Sequence, residues 1–67
     1  MTTYTYKIES WFDGDAEHTF TYGKGGWDRK QAQKSSDAAL RRTDKIDGLN
    51  AIGQVVTDAE AAQAKAS

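Results

Sequence analysis

Residues 3–22 read TYTYKIESWFDGDAEHTFTY, and this stretch decides the fold. Its first half, residues 3–12, alternates in polarity and is rich in Thr, Tyr and Ile, which is typical of a β-strand. A second alternating run covers residues 16–22. Between the two runs lies Asp-Gly-Asp at positions 13–15, and these residue types favour tight turns. The stretch therefore predicts an antiparallel β-hairpin.

The length of the hairpin turn determines which side chains share a face, because a slip of one residue moves all side chains of a strand to the other face. A three-residue turn pairs Ile8 with Phe20 and makes one face almost wholly apolar. A two-residue turn instead sets Ile8 against Thr19 and leaves no apolar face. The pattern favours the three-residue turn, and a five-residue turn of the same parity is the alternative. In this register Trp11 falls on a polar face, which it shares with Thr5, Lys7, Glu9, Thr19 and Thr21.

The segment after the hairpin predicts one helix. The glycine-rich residues 23–26 end the second strand, and Asp28 is a suitable N-cap. Asp-Gly at 47–48 is a stop signal, and a break at residues 35–37 into two shorter helices is the alternative. Small side chains let a helix approach a sheet closely. The predicted helix has one weakly apolar face of mostly small residues at helical spacing, which are Ala32, Ser36, Ala39, Leu40 and Thr43.

A third strand is predicted over residues 51–57, and the sequence leaves open which hairpin strand it joins. Thr57 and Glu60 then match the capping-box pattern of a helix start. The alanine-rich tail, residues 58–67, has no large side chain to bury, so we expect a loose or frayed helix. The sequence thus predicts one small α+β domain over residues 1–57, in the order ββαβ, followed by this tail.

Composition narrows the class of protein. The chain has 67 residues, which suffice for one domain with a thin core. It has no cysteine, which excludes disulfides and thiolate metal sites and favours a cytoplasmic location. We expect no membrane association, since no apolar run approaches the length of a membrane span and the N-terminus does not resemble a signal peptide.

The motifs that would support catalysis are incomplete. Residues 23–26 match neither the Walker A nor the dinucleotide-binding pattern. Asp13, Asp15 and Glu17 cluster near the turn without the spacing of a calcium loop. His18 is the sole histidine, and the predicted register sets it opposite Ser10 with no Ser-His-Asp arrangement. We therefore expect a protein that is not an enzyme and that carries no metal and no cofactor.

The leading hypothesis for function is a protein-interaction module centred on Trp11. An exposed tryptophan among charged neighbours resembles a binding hot spot. The alternative for Trp11 is that it covers the end of the sheet or meets the C-terminal helix. The size and composition are typical of accessory proteins of phages and mobile elements. The partner would then be a larger host protein, and the chain would act as its inhibitor or as an adaptor. Open sheet edges would also allow a homodimer. The predicted partner-binding residues are Lys7, Glu9, Trp11, Thr19 and Thr21.

A second hypothesis is a nucleic-acid-binding protein. Basic residues concentrate in the predicted helix and the loop before it, over residues 24–45, although aspartates interrupt them. Such side chains neutralise phosphates. The predicted contacts, most of them on the basic helix 29–45, are Lys24, Arg29, Lys30, Lys34, Arg41 and Arg42.

Overall fold

The computed structural model describes residues 1–66, which form a three-stranded antiparallel sheet and two helices. The strands lie in the order β2-β1-β3, so β1 is central and β3 joins it on the side opposite β2. This architecture confirms the small α+β fold and the ββαβ order. The elements are β1 (Tyr4–Phe12), β2 (Thr19–Tyr22), α1 (Arg29–Thr43), β3 (Leu49–Thr57) and α2 (Asp58–Ala66).

The predicted hairpin register is wrong. Ile8 pairs with Thr21, and the connection between β1 and β2 has six residues, 13–18. The prediction assumed that the apolar side chains of both hairpin strands share one core. In the structure Ile8 lies on the face that α1 covers, and Phe20 stays half exposed, so matching these two side chains does not set the register. Thr19 and Thr21 consequently lie on the face opposite Trp11.

Helix α1 begins where the sequence predicts and runs without a break, so the alternative of two shorter helices is wrong. Asp28 is the N-cap, and its carboxylate accepts a hydrogen bond of 2.7 Å from the backbone amide of Gln31. The Gln31 side chain accepts one of 3.2 Å from the Asp28 amide, which completes a capping box. Arg41 and Arg42 lie in the last turn, where positive charge suits the helix dipole.

Helix α1 approaches the sheet closely because small side chains line the contact. Ala32 and Ser36 are 0% and 1% exposed, which confirms the centre of the predicted small-residue face. Beneath them lies Gly53 of β3, where an added Cβ would come within 2.5 Å of Ser36 Oγ. Gly53 pairs with Ile8, the one large aliphatic side chain of residues 1–66 that is almost fully buried, at 3% exposed. The core on this side is therefore thin.

Helix α2 covers one end of the opposite face of the sheet. The Thr57 hydroxyl accepts a 3.1 Å hydrogen bond from the Glu60 amide, in agreement with the predicted cap. The contact with β1 and β3 buries Ala61 and Val56. The Lys65 ammonium lies 5.4 Å from the centre of the Tyr22 ring. The predicted tail is thus helical over 58–66, and its last residue, Ser67, lies outside the described residues. Neither helix has the length and apolar character needed to cross a membrane.

Candidate protein-interaction surface

One part of the sheet is covered by neither helix, and we call it the open face. Side chains alternate along β1, so those of Lys7, Glu9 and Trp11 lie on the face opposite Ile8. Glu9 pairs with Phe20 on one side and with Ile52 on the other, which places both apolar side chains on the same face. Together with the loop residue described next, the open face consists of Lys7, Glu9, Trp11, His18, Phe20 and Ile52.

Trp11 is half-buried because a histidine lies flat against it. The rings of Trp11 and His18 are 4.7 Å apart at their centres and inclined by 7°. His18 Nδ1 also contacts the carboxylate of Glu9. The prediction that His18 lies opposite Ser10 is wrong, since Thr19 takes that place. His18 instead holds Trp11 at the surface, at the end of the sheet away from α2.

A second contact across the open face joins Lys7 to Phe20. The Lys7 ammonium lies 5.0 Å from the centre of the Phe20 ring, within the range of a cation–π interaction. Phe20 keeps half of its surface exposed. This position differs from the predicted apolar face shared with Ile8, because the alternation of residues 16–22 groups Phe20 with Tyr22 but does not determine which face of β1 the two side chains join.

The open face combines exposed apolar surface with balanced charge. Phe20 and Ile52 are 50% and 58% exposed. Lys7 and Glu9 carry opposite charges two positions apart on β1, so the face has no strong field of one sign. Of the predicted partner-binding residues, the structure thus brings three together. Thr19 and Thr21 are exposed on the other side of β2.

The glycine-rich loop holds an anion that the chain itself supplies. Gly25 and Gly26 have φ angles of +87° and +77°, which residues with a side chain rarely adopt. The Gly26 amide donates a 2.9 Å hydrogen bond to the Asp58 carboxylate, and the Thr3 hydroxyl donates to the same oxygen. A Cβ on Gly25 would lie 2.7 Å from Asp58 Oδ1. The loop before α1 thus binds a carboxylate from the start of α2.

These contacts lower the pKa of Asp58. The largest cause is the hydrogen bond from Thr3, followed by that from the Gly26 amide and by the charge of Lys65. All three favour the ionised carboxylate. A pKa lower in the folded than in the unfolded chain means that this stabilisation is present above the unfolded value, about 3.9. It is lost as the pH falls through the folded value.

We expect Asp58→Asn to lower the melting temperature at neutral pH, and we expect its difference from the wild type to shrink as the pH falls from about 7 to 2, because the wild-type carboxylate loses its stabilisation as it becomes protonated. The measurement is thermal unfolding followed by circular dichroism over this pH range. Asp47→Asn, at an exposed turn position, is the matched control. A difference between Asp58→Asn and wild type that stays constant with pH would contradict the assignment.

The basic residues predicted to contact nucleic acid lie apart from the open face. Lys30, Lys34 and Arg41 project from the exposed side of α1, and Asp37 lies among them with a 3.1 Å hydrogen bond from Gln33. The others lie at the edges of this group: Lys24 in the glycine-rich loop, Arg29 with its guanidinium 5.5 Å from the Tyr4 ring, and Arg42 on a flank of α1.

The acidic residues of the hairpin connection are part of its turn. Asp13 Oδ1 accepts a 2.7 Å hydrogen bond from the Asn50 side chain, and Asp15 Oδ1 accepts one of 3.3 Å from the Glu17 amide. Gly14, with φ of +78°, completes the turn that the Asp15 amide closes onto Phe12. Within residues 1–66 no three acidic or histidine side chains converge as metal ligands.

Comparison with known proteins returned no relative. No protein family matches the chain, and neither a curated protein nor a solved structure is similar to it.

Proposed function

We propose that this chain is a small protein-interaction module that binds a larger protein through the open face. The observation that carries the proposal is the exposure of Phe20 and Ile52 beside the half-buried Trp11 on one surface. Aromatic side chains held rigidly next to apolar neighbours are the usual anchors of protein interfaces. The stack with His18 supplies that rigidity, because it fixes the ring of Trp11 before a partner arrives.

The charges of the open face favour a protein partner. Lys7 and Glu9 offset each other, so the face does not attract a polyanion such as nucleic acid. A protein surface with an apolar centre and charges of both signs at its rim would be complementary to it. The reactive groups are already engaged with one another, His18 with Glu9 and Lys7 with Phe20, which supports binding rather than catalysis.

We also propose a role for the chain toward its partner. A domain this small presents one rigid surface, so it suits an inhibitor or adaptor of a larger host protein, of the kind that phages and mobile elements encode. The lack of cysteine supports a function in the reducing cytoplasm.

Site-specific photocrosslinking tests the surface. A benzoylphenylalanine at position 20 lies on the open face, and one at position 21 lies on the opposite side of the same strand. We expect position 20 to crosslink one protein in nuclease-treated lysate and position 21 not to do so. Trp11→Ala should abolish the crosslink from position 20, and Thr19→Ala, on the other face, should leave it intact.

Two results would contradict the proposal. One is a crosslink of equal yield from position 21, which would place the partner elsewhere on β2. The other is a crosslink from position 20 that Trp11→Ala leaves unchanged, which would remove Trp11 from the interface.

A second candidate function is nucleic-acid binding, and the alignment of Lys30, Lys34 and Arg41 on the exposed side of α1 favours it. Here we expect binding to single- or double-stranded DNA or RNA that weakens steeply with salt. Each of Lys30→Gln and Lys34→Gln should reduce the slope of log affinity against log salt by about 1. The absence of any band shift at low salt would exclude this function.

A further inference from the structure

Strand β3 has an unpaired edge that lacks the usual protection against pairing. It is an edge strand of nine residues, Leu49–Thr57, with the sequence LNAIGQVVT. Natural edge strands are commonly short or carry lysine, proline or a bulge, which prevents another strand from adding to them. β2, the other edge strand, has four residues. β3 is long and contains no charged residue and no proline, so its edge is a template for a further strand.

Hydrogen bonds at both ends of the β1–β3 ladder show which backbone groups of β3 are free. The Asp13 amide donates to the Gly48 carbonyl at 2.8 Å, and the Asp58 amide donates to the Thr3 carbonyl at 3.0 Å. Hydrogen-bonded residues alternate along an antiparallel ladder. The backbone amides and carbonyls of the even-numbered residues of β3 therefore bond to β1, and those of the odd-numbered residues point away from β1, toward the free edge. The outward amides and carbonyls in the middle of the strand belong to Ala51, Gly53 and Val55.

We propose that the β3 edges of two copies of this chain pair antiparallel about a two-fold axis at Ile52, which joins two sheets into one of six strands. In this register Ile52 lies opposite Ile52 of the second copy, in a pair without direct backbone bonds, where side chains are closest. The backbone amide and carbonyl of Ala51 in each copy bond the carbonyl and amide of Gly53 in the other copy. The remaining pairs also match in chemistry, since Asn50 meets Gln54 and Leu49 meets Val55.

A second copy fits this edge because the strand is complementary to itself. Registers centred on neighbouring outward residues set Ile52 against Asn50 or Gln54 and lose the match of apolar with apolar. The strand is neutral, so two copies meet no charge repulsion. Ile52, at 58% the most exposed aliphatic side chain of β3, would be covered on one side by its equivalent, while the rest of its surface would stay on the open face.

The position of α1 is compatible with this pairing. Helix α1 packs on both β1 and β3, so its axis lies near the boundary between them. Strands are spaced by about 4.8 Å, which would set the α1 axes of two copies about 10 Å apart. Packed helices have axes about 8–10 Å apart. The two α1 helices would thus lie side by side above the joined sheet.

Charge reversal at Ile52 tests both the dimer and its register. We expect sedimentation velocity of the wild-type chain, from micromolar to millimolar concentration, to show a species of twice the monomer mass of 7.4 kDa. Ile52→Lys and Ile52→Glu should each sediment as monomers, because like charges would lie directly opposite. An equimolar mixture of the two variants should restore the dimer. Circular dichroism confirms that each variant is folded.

A second variant tests the backbone bonds. Ala51→Pro removes an outward amide without touching the bonds to β1, so it should also give a monomer. Trp11→Ala should remain dimeric, which separates this inference from the interaction surface proposed above. A wild-type chain that stays monomeric at millimolar concentration would overturn the proposal. So would an Ile52→Lys variant that dimerises alone as well as it does with Ile52→Glu.

Discussion

Replacing Ile8 with alanine is expected to lower the free energy of unfolding by about 2–5 kcal/mol. Ile8 is 3% exposed and lies between α1 and the strand pair β1–β3. The buried side chains of α1 that face the sheet, Ala32 and Ser36, are small, so the space that alanine leaves is at most partly refilled. Single small domains have only about 5–15 kcal/mol of stability in total, so this variant is close to unfolding.

Urea unfolding measured by tryptophan fluorescence reports this loss. Ile46→Ala is the matched control, because Ile46 is the same residue type but is 48% exposed in the turn before β3. Its cost should stay within about 0.5 kcal/mol, as for other surface changes. Equal costs at the two positions would show that the core does not lie where the structure places it.

The second large effect is expected at Gly53, where a change to alanine should cost about 1–3 kcal/mol. The new Cβ would lie 2.5 Å from Ser36 Oγ and 2.8 Å from Leu40 Cδ1. Ser36 is 1% exposed and has little room to retreat, so α1 must shift away from the sheet. Alanine in place of glycine normally stabilises by restricting the unfolded chain, and a cost here therefore measures the clash.

A double-mutant cycle isolates the contact. Ser36→Ala removes the nearest atom, so Gly53→Ala should cost at least about 0.5 kcal/mol less in that background than in the wild type. The measurement is again urea unfolding of the four proteins of the cycle. Strictly additive costs would mean that Ser36 and Gly53 do not meet.

The order of elements could be read from the sequence because each element carries its own local signal. Alternation predicts β1 and β2, Asp28 predicts the start of α1, and Thr57 predicts the cap of α2. The face of α1 that meets the sheet also follows from the spacing of small residues such as Ala32 and Ser36. These signals act over a few positions, so a single sequence suffices to find them.

The register of the hairpin could not be read because it depends on the rest of the molecule. Apolar matching favours pairing Ile8 with Phe20, but Ile8 is buried by elements that follow much later in the chain. The wrong register also affects the predicted interaction surface. The sequence groups Lys7, Glu9 and Trp11 because they share one strand. It does not add Phe20, because the face on which Phe20 lies depends on the register. The sequence does not place Ile52 on this surface, because it does not determine which hairpin strand β3 joins.

The contact of Asp58 with the glycine-rich loop has no sequence signal at all. Gly26 and Asp58 are 32 positions apart, and neither matches a pattern that would predict the other. Only the folded chain shows that the loop and this carboxylate meet.

The central position of β1 has a consequence for synthesis on the ribosome. Strand β1 completes its pairing with β3, the last strand of this sheet to be made, and Thr3 bonds Asp58 across 55 positions. While translation proceeds, β1 has only the short β2 to pair with, and its other edge stays open until β3 has left the exit tunnel. Contacts of such long range form slowly. The native sheet is therefore complete only after β3 has left the exit tunnel, and a nascent chain stalled before β3 exposes the edge of β1 to other proteins.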